Sequence, residues 1–201
     1  MVRNGPMARP VEIDRDRAFE VAFQLFWHRG YRSTSLQQLL DAMEIGKSSF
    51  YAAFASKEAL FVDVLSYYWT QTQAVFSRIR LKRRGLEAIR EFLNETLLNV
   101  SDTDRRKGCL AVNSALEMAG VNQELHDRAG QILNKLEVEL RSLLTEAQAI
   151  GEVRPDQSPR ELAQLLIVML QGLRVSSRRG MTRPQARAAV GALMQLLDYN
   201  D

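Results

Sequence analysis

Lys47, Ser48, Ser49 and Tyr51 fall on one side of an eight-residue stretch, Lys47 to Phe54, whose other side carries Phe50 and Phe54. At helical spacing the two phenylalanines turn inward and the four polar side chains turn outward. Those four are groups that read a DNA duplex. A lysine ammonium donates to guanine O6 and N7, small hydroxyls bond base edges or phosphate, and a phenol suits a phosphate oxygen. Thr34 and Lys57 flank the stretch where they can meet the sugar-phosphate backbone, Lys57 with help from a helix N-terminus. Arg3 and Arg9 add a basic arm ahead of it. On spacing alone the same pattern also fits the aromatic core of a small helical module with solvated charges around it.

The single cysteine, Cys109, forbids an intrachain disulfide, and with only His28 and His126 beside it no metal cluster forms at a recognisable spacing. Cys109 follows Arg105, Arg106 and Lys107 near an expected helix start, and both features favour the thiolate and its reaction with oxidants or electrophiles. The alternative is a small core residue on an apolar helix. No paired carboxylates, nucleophile with a base, or phosphate-cradling glycine loop can be assigned, so the expectation is a protein that is not an enzyme and carries no cofactor and no metal.

These groups must be positioned by helices. All five prolines lie at positions 6, 10, 155, 159 and 184, which leaves Val11 to Arg154 without one, and apolar residues recur three and four apart throughout. The fold class is therefore all-α. Thirteen of the fifteen aromatics precede residue 77, which implies two regions with different cores. Helices are expected at about 14–28, 35–43, 47–54, 57–80, 86–100, 105–119, 123–150, 159–178 and 184–199, nine in all. Thr34 with Gln37 and Ser158 with Glu161 have the form of capping boxes, and Gly120, Gly151 and Gly180 sit where helices end.

A short helix, a tight turn and a second short helix, fastened to a preceding amphipathic helix, is helix-turn-helix geometry, with the second helix entering the major groove. The residues Thr34-Ser-Leu-Gln-Gln-Leu and Ile45-Gly-Lys-Ser-Ser-Phe-Tyr51-Ala-Ala-Phe54-Ala-Ser-Lys57-Glu-Ala-Leu60 resemble the amino-terminal signature of the TetR/AcrR family of bacterial transcriptional regulators. Lys107-Gly-Cys-Leu-Ala-Val-Asn113 and Gln171-Gly-Leu-Arg-Val175 are similar to segments of an AcrR-like subgroup. The resemblance implies a homodimeric repressor. Its first three helices would bind a palindromic double-stranded DNA operator, its carboxy-terminal helices would hold an unknown small-molecule effector, and its last two helices would form the dimer interface. On that reading residues 1–57 are the DNA-binding domain and 58–201 the ligand-binding and dimerisation domain. Glu44 and Gly46 depart from the family pattern, which often has glycine in the turn and Ser or Thr before the recognition helix. Glu44 is thus an acidic non-glycine at a potential left-handed position.

The last two helices read as an interface on their own pattern. Leu162, Leu166, Met169 and Leu173, with Leu165, Val168 and Leu170, are apolar on more than one face, and Ala189, Val190, Leu193, Leu196 and Leu197 supply a partner stripe. A four-helix dimer seam satisfies both, and so does a buried helix of a monomer. For the effector, Tyr68, Trp69, Thr72 and Phe76 on the long fourth helix, with Val112, Asn113, Leu116 and Met118 on the sixth, offer an apolar wall with a few polar groups.

At 201 residues, with 46% hydrophobic and 25% charged residues, the chain has the composition of a folded globular protein. No apolar run approaches the roughly 20 residues of a membrane span, and no signal-length apolar stretch follows Arg3 or Arg9, so the expected place is the cytoplasm. The net charge of +3 decides little. A rival reading is a helical adaptor that binds protein partners through its leucine-rich last helices. Salt separates the two, since phosphate binding weakens steeply as salt rises.

Overall fold

The computed structural model describes residues 14–199, and every regular element among them is helical. In chain order they are α1 (Arg15–Arg29), α2 (Leu36–Met43), α3 (Lys47–Phe54), α4 (Lys57–Arg80), α5 (Gly85–Leu93), α6 (Asp102–Lys107), α7 (Leu110–Met118), α8 (Gln123–Ala149), α9 (Pro159–Arg178) and α10 (Arg183–Leu197). A π-helical stretch, Asn94–Leu98, extends α5. The all-α expectation holds. Two compact units divide inside α4, one ending at Val64 and the other beginning at Leu65.

The amino-terminal unit is built on aromatics. Phe26, Phe50 and Phe61 are fully buried together with Leu39 and Leu60, and the Phe26 and Phe61 rings meet edge to face with centroids 4.9 Å apart. The capping box of α2 lies one residue later than expected. Ser35, not Thr34, accepts from the Gln38 amide, and the Gln38 side chain accepts from the Ser35 amide. Thr34 is excluded because its hydroxyl already donates to the Gly30 carbonyl at 2.7 Å.

The carboxy-terminal unit has an aliphatic core. α5, α8, α9 and α10 contribute Ile89, Leu93, Leu140, Leu143, Leu166, Leu173, Val190 and Leu193 to one cluster, with Phe76 stacked on Phe92 at 4.2 Å. The helix expected over 105–119 is in fact two. Gly108 adopts φ +73, which ends α6, and Cys109 becomes the N-cap of α7. α6 begins earlier, at Asp102, because the Ser101 hydroxyl caps it by accepting from the Asp104 amide.

Candidate nucleic-acid interface

The turn between α2 and α3 aims the second helix. The Ile45 amide donates to the Leu40 carbonyl and the Glu44 amide to that of Asp41, a Schellman arrangement that puts the residue after the helix in the left-handed region. That residue is Glu44, at φ 58 and ψ 38. A non-glycine there costs about 1 kcal/mol. Its carboxylate pairs with Arg17 at 3.3 Å, both side chains well exposed, so the pair contributes little. Gly46 is the N-cap of α3 in extended conformation, with no side chain to cap the helix.

On α3, Phe50 and Phe54 are buried, whereas Lys47, Ser48 and Tyr51 are exposed and Ser49 is partly so, with Tyr51 at 46%. Arg15 on α1 donates to the Ala53 carbonyl at 3.4 Å and lies over the Phe54 ring, which ties the end of α3 to α1. Lys57 opens α4 with its ammonium 4.0 Å from the Tyr31 ring centroid. Burial, with the nearby Glu58 carboxylate adding to it, raises the Tyr31 phenol above its ordinary pKa. Lys47, Ser48 and Tyr51 therefore form one open polar surface on α3, with Ser49 partly exposed beside them, while Lys57 is half-buried at the start of α4. Thr34 does not belong to that surface. It is fully buried with its hydroxyl engaged, so its role is to close the α1–α2 turn. Arg3 and Arg9 lie outside the described residues.

In the carboxy-terminal unit the expected effector residues separate. Tyr68, Trp69 and Thr72 are half-buried on α4 and Asn113 is half-buried on α7. Phe76 and Met118 are packed into the core, and Val112 is buried. Leu116 is 70% exposed and turns away from a wall that would include Met118. The Asn113 amide donates to the Lys107 carbonyl at 2.9 Å, holding the α6–α7 turn.

Cys109 is buried, and the Tyr68 hydroxyl donates to its Sγ at 3.3 Å. Burial pushes the Tyr68 phenol well above its ordinary pKa, the neighbouring thiol adds to the rise, and the Arg174 charge opposes it. Sequence reasoning missed the clamp before the thiol. Arg105 is buried and donates to the Met181 carbonyl in the α9–α10 turn and to Asp102 at 3.1 Å, and Asp102 also accepts from Arg183 on α10. Hydrogen bonds from Arg105 and then Arg183 hold the Asp102 carboxyl below its ordinary pKa. The Ser101 cap was the legible signal for this segment.

The residues expected at a dimer seam divide by face. Leu166, Leu173, Val190, Leu193 and Leu197 are buried in the unit's own core and Leu162 packs against it, so these six are core residues. The faces left open are Leu165, Val168, Met169 and Val175 on α9 and Leu196 on α10, all large apolar side chains that remain exposed. Of the expected residues, Leu165, Val168, Met169 and Leu196 lie there.

Two family models match the chain. One, described as bacterial regulatory proteins, tetR family, matches residues 18–64, and a second, described as tetracyclin repressor-like, C-terminal domain, matches residues 85–192. The HTH-type transcriptional repressor ComR of Escherichia coli (strain K12) is 27% identical over 190 residues, covering 94% of this chain and 90% of that protein. The HTH-type transcriptional repressor DhaR of Mycobacterium sp. (strain GP1) is 28% identical over 158 residues, 79% of each chain. A cysteine mutant of the TetR family transcriptional regulator CifR, solved with 26bp double-strand operator DNA, aligns with TM-score 0.80 and 31% identity, covering 94% of this chain and 100% of that one.

Proposed function

The chain belongs to the TetR family of DNA-binding transcriptional regulators, and on that premise we propose that it is a repressor that holds a palindromic operator as a homodimer and lets go when its carboxy-terminal unit is modified or liganded. The observation that carries this reading is the division of α3, with Phe50 and Phe54 locked in the core and Lys47, Ser48 and Tyr51 open. Lys47 and Ser48 lie in the first turn of α3, where a recognition helix meets base edges, while Tyr51 and Lys57 meet phosphates on either side. The names of ComR and DhaR and the operator bound to CifR point the same way.

The dimer forms through the open apolar faces of α9 and α10, where Leu165, Val168, Met169 and Leu196 lie exposed. The effector region is the half-buried group Tyr68, Trp69, Thr72 and Asn113 with the buried Val112, and Cys109 beside Tyr68 is the reactive thiol. α4 contributes residues to both units, so effector and operator affinities are coupled reciprocally through it. The protein works by binding rather than catalysis, in the cytoplasm with the chromosome. Among the described residues no helix is long and apolar enough to cross a membrane.

The test is the salt dependence of binding to duplex DNA containing the operator. A steep fall in affinity with rising salt, with a slope smaller by about 1 in Lys57→Ala, supports the phosphate assignment. A slope near zero, or one unchanged in the variant, overturns it.

A further inference from the structure

The turn from α4 to α5 carries a cluster of cations that the DNA-reading surface does not use. Arg80, Lys82, Arg83 and Arg84 stand within five residues and border an open cavity of about 400 Å³ that Ile150 and Glu152 close from the end of α8. Two of the four are neutralised within the fold. Arg80 pairs with Glu146 at 2.6 Å and with Glu139 at 3.4 Å, and Arg83 pairs with Glu87 at 2.9 Å. No carboxylate pairs with Lys82 or Arg84 among the described residues. The same cavity is lined by two large apolar side chains that the fold leaves in water, Leu81 at 84% exposure and Ile150 at 58%.

The floor of the cavity is already supplied with an anion. The Glu152 carboxylate accepts from the Leu86 amide at 2.8 Å and so occupies the N-terminus of α5. Gly85, at a backbone φ of +51, leaves room for it, since a Cβ there would lie 2.2 Å from Glu152 Oε2 and push that carboxylate aside. A bare phosphate therefore finds its best seat taken, and a polyphosphate backbone would leave Leu81 and Ile150 uncovered. An occupant that satisfies the whole surface brings carboxylates for Lys82 and Arg84 and apolar groups for Leu81 and Ile150.

We propose that the α4–α5 turn, with Lys82, Arg84, Leu81 and Ile150, is a docking surface for an acidic protein segment interspersed with apolar side chains. Such a partner docks on residues of the carboxy-terminal unit alone. Its carboxylates steer the encounter, and Leu81 and Ile150 provide the contact area.

The experiment uses the full chain and a short fluorescein-labelled peptide of Glu and Asp alternating with Leu and Phe, read by fluorescence anisotropy. The expected result is saturable binding that falls about tenfold in the double variant Lys82→Glu and Arg84→Glu and about tenfold in Leu81→Ser, with a Lys and Arg version of the peptide not bound. All three substituted side chains are exposed, so circular dichroism and operator binding should match the parent. Absence of peptide binding, or binding equal in the parent and both variants, overturns the proposal. So does loss of duplex DNA or phosphatidylglycerol vesicle binding in the double variant without any peptide binding, which reassigns the turn to phosphates.

Discussion

The Tyr68 hydroxyl donates a hydrogen bond to Sγ of Cys109 at 3.3 Å, joining α4 to the N-cap of α7. The bond fixes Sγ between the two helices. Tyr68→Phe removes the donor and keeps the ring. Loss of that one hydrogen bond should cost about 0.5–1.5 kcal/mol in denaturant unfolding. Iodoacetamide alkylation of the buried Cys109 should change rate in the variant, because the hydroxyl no longer holds Sγ. An unchanged rate would detach Tyr68 from the chemistry of the thiol, and an unchanged operator release in Cys109→Ser under electrophiles would remove the thiol from regulation.

The buried hydroxyl of Thr34 separates stability from DNA contact. Thr34→Val leaves the Gly30 carbonyl without its donor and should cost about 1 kcal/mol in denaturant unfolding. Its salt slope for DNA should equal the parent's. A lowered slope with unchanged stability would return Thr34 to the phosphate contacts.

Glu44 sits in the left-handed region and places a carboxylate beside the reading helix. Glu44→Gly relieves the backbone and removes the charge, so unfolding free energy should rise by about 1 kcal/mol and operator affinity should increase. Thermal or urea unfolding alongside a binding isotherm measures both. Loss of stability would mean that the Arg17 pair outweighs the backbone term.

How much of this was legible in the sequence depends on where signals competed. The faces of α3 followed from Phe50 and Phe54, because aromatic spacing on a short helix leaves one solution. The start of α2 did not, since Thr34 with Gln37 and Ser35 with Gln38 are equivalent patterns and a hydroxyl bond to Gly30 decides between them. Gly108 was a visible break inside an expected helix, yet only its positive φ makes it an end. On α9 and α10 the apolar residues run round more than one face, so periodicity named Leu166, Leu173, Val190, Leu193 and Leu197 without telling core from surface.

That division of faces makes the proposed dimer testable. Val168→Glu or Leu165→Glu changes an exposed position and should shift sedimentation toward the monomer with little change in helix content. Leu166→Ala, in the core, should cost about 2–5 kcal/mol of stability. Dimers that persist in both glutamate variants would move the seam elsewhere.

The Asp102 clamp carries a pH signature. Its carboxyl is held below the ordinary value of 3.8 in the folded chain. Its contribution is therefore present above the unfolded value and lost as pH falls through the lower folded one. The stability gap between the parent and Asp102→Asn should be constant near neutrality and close in acid. A gap that widens as pH falls contradicts the assignment.

The central claim is that α3 reads a symmetric operator, and selection of bound sequences from random duplex DNA at physiological salt tests it most directly. The account predicts a palindrome with half-sites about one helical turn apart, and loss of its consensus at the contacted positions in Lys47→Ala. Recovery of no consensus, with binding seen only at low salt, contradicts it.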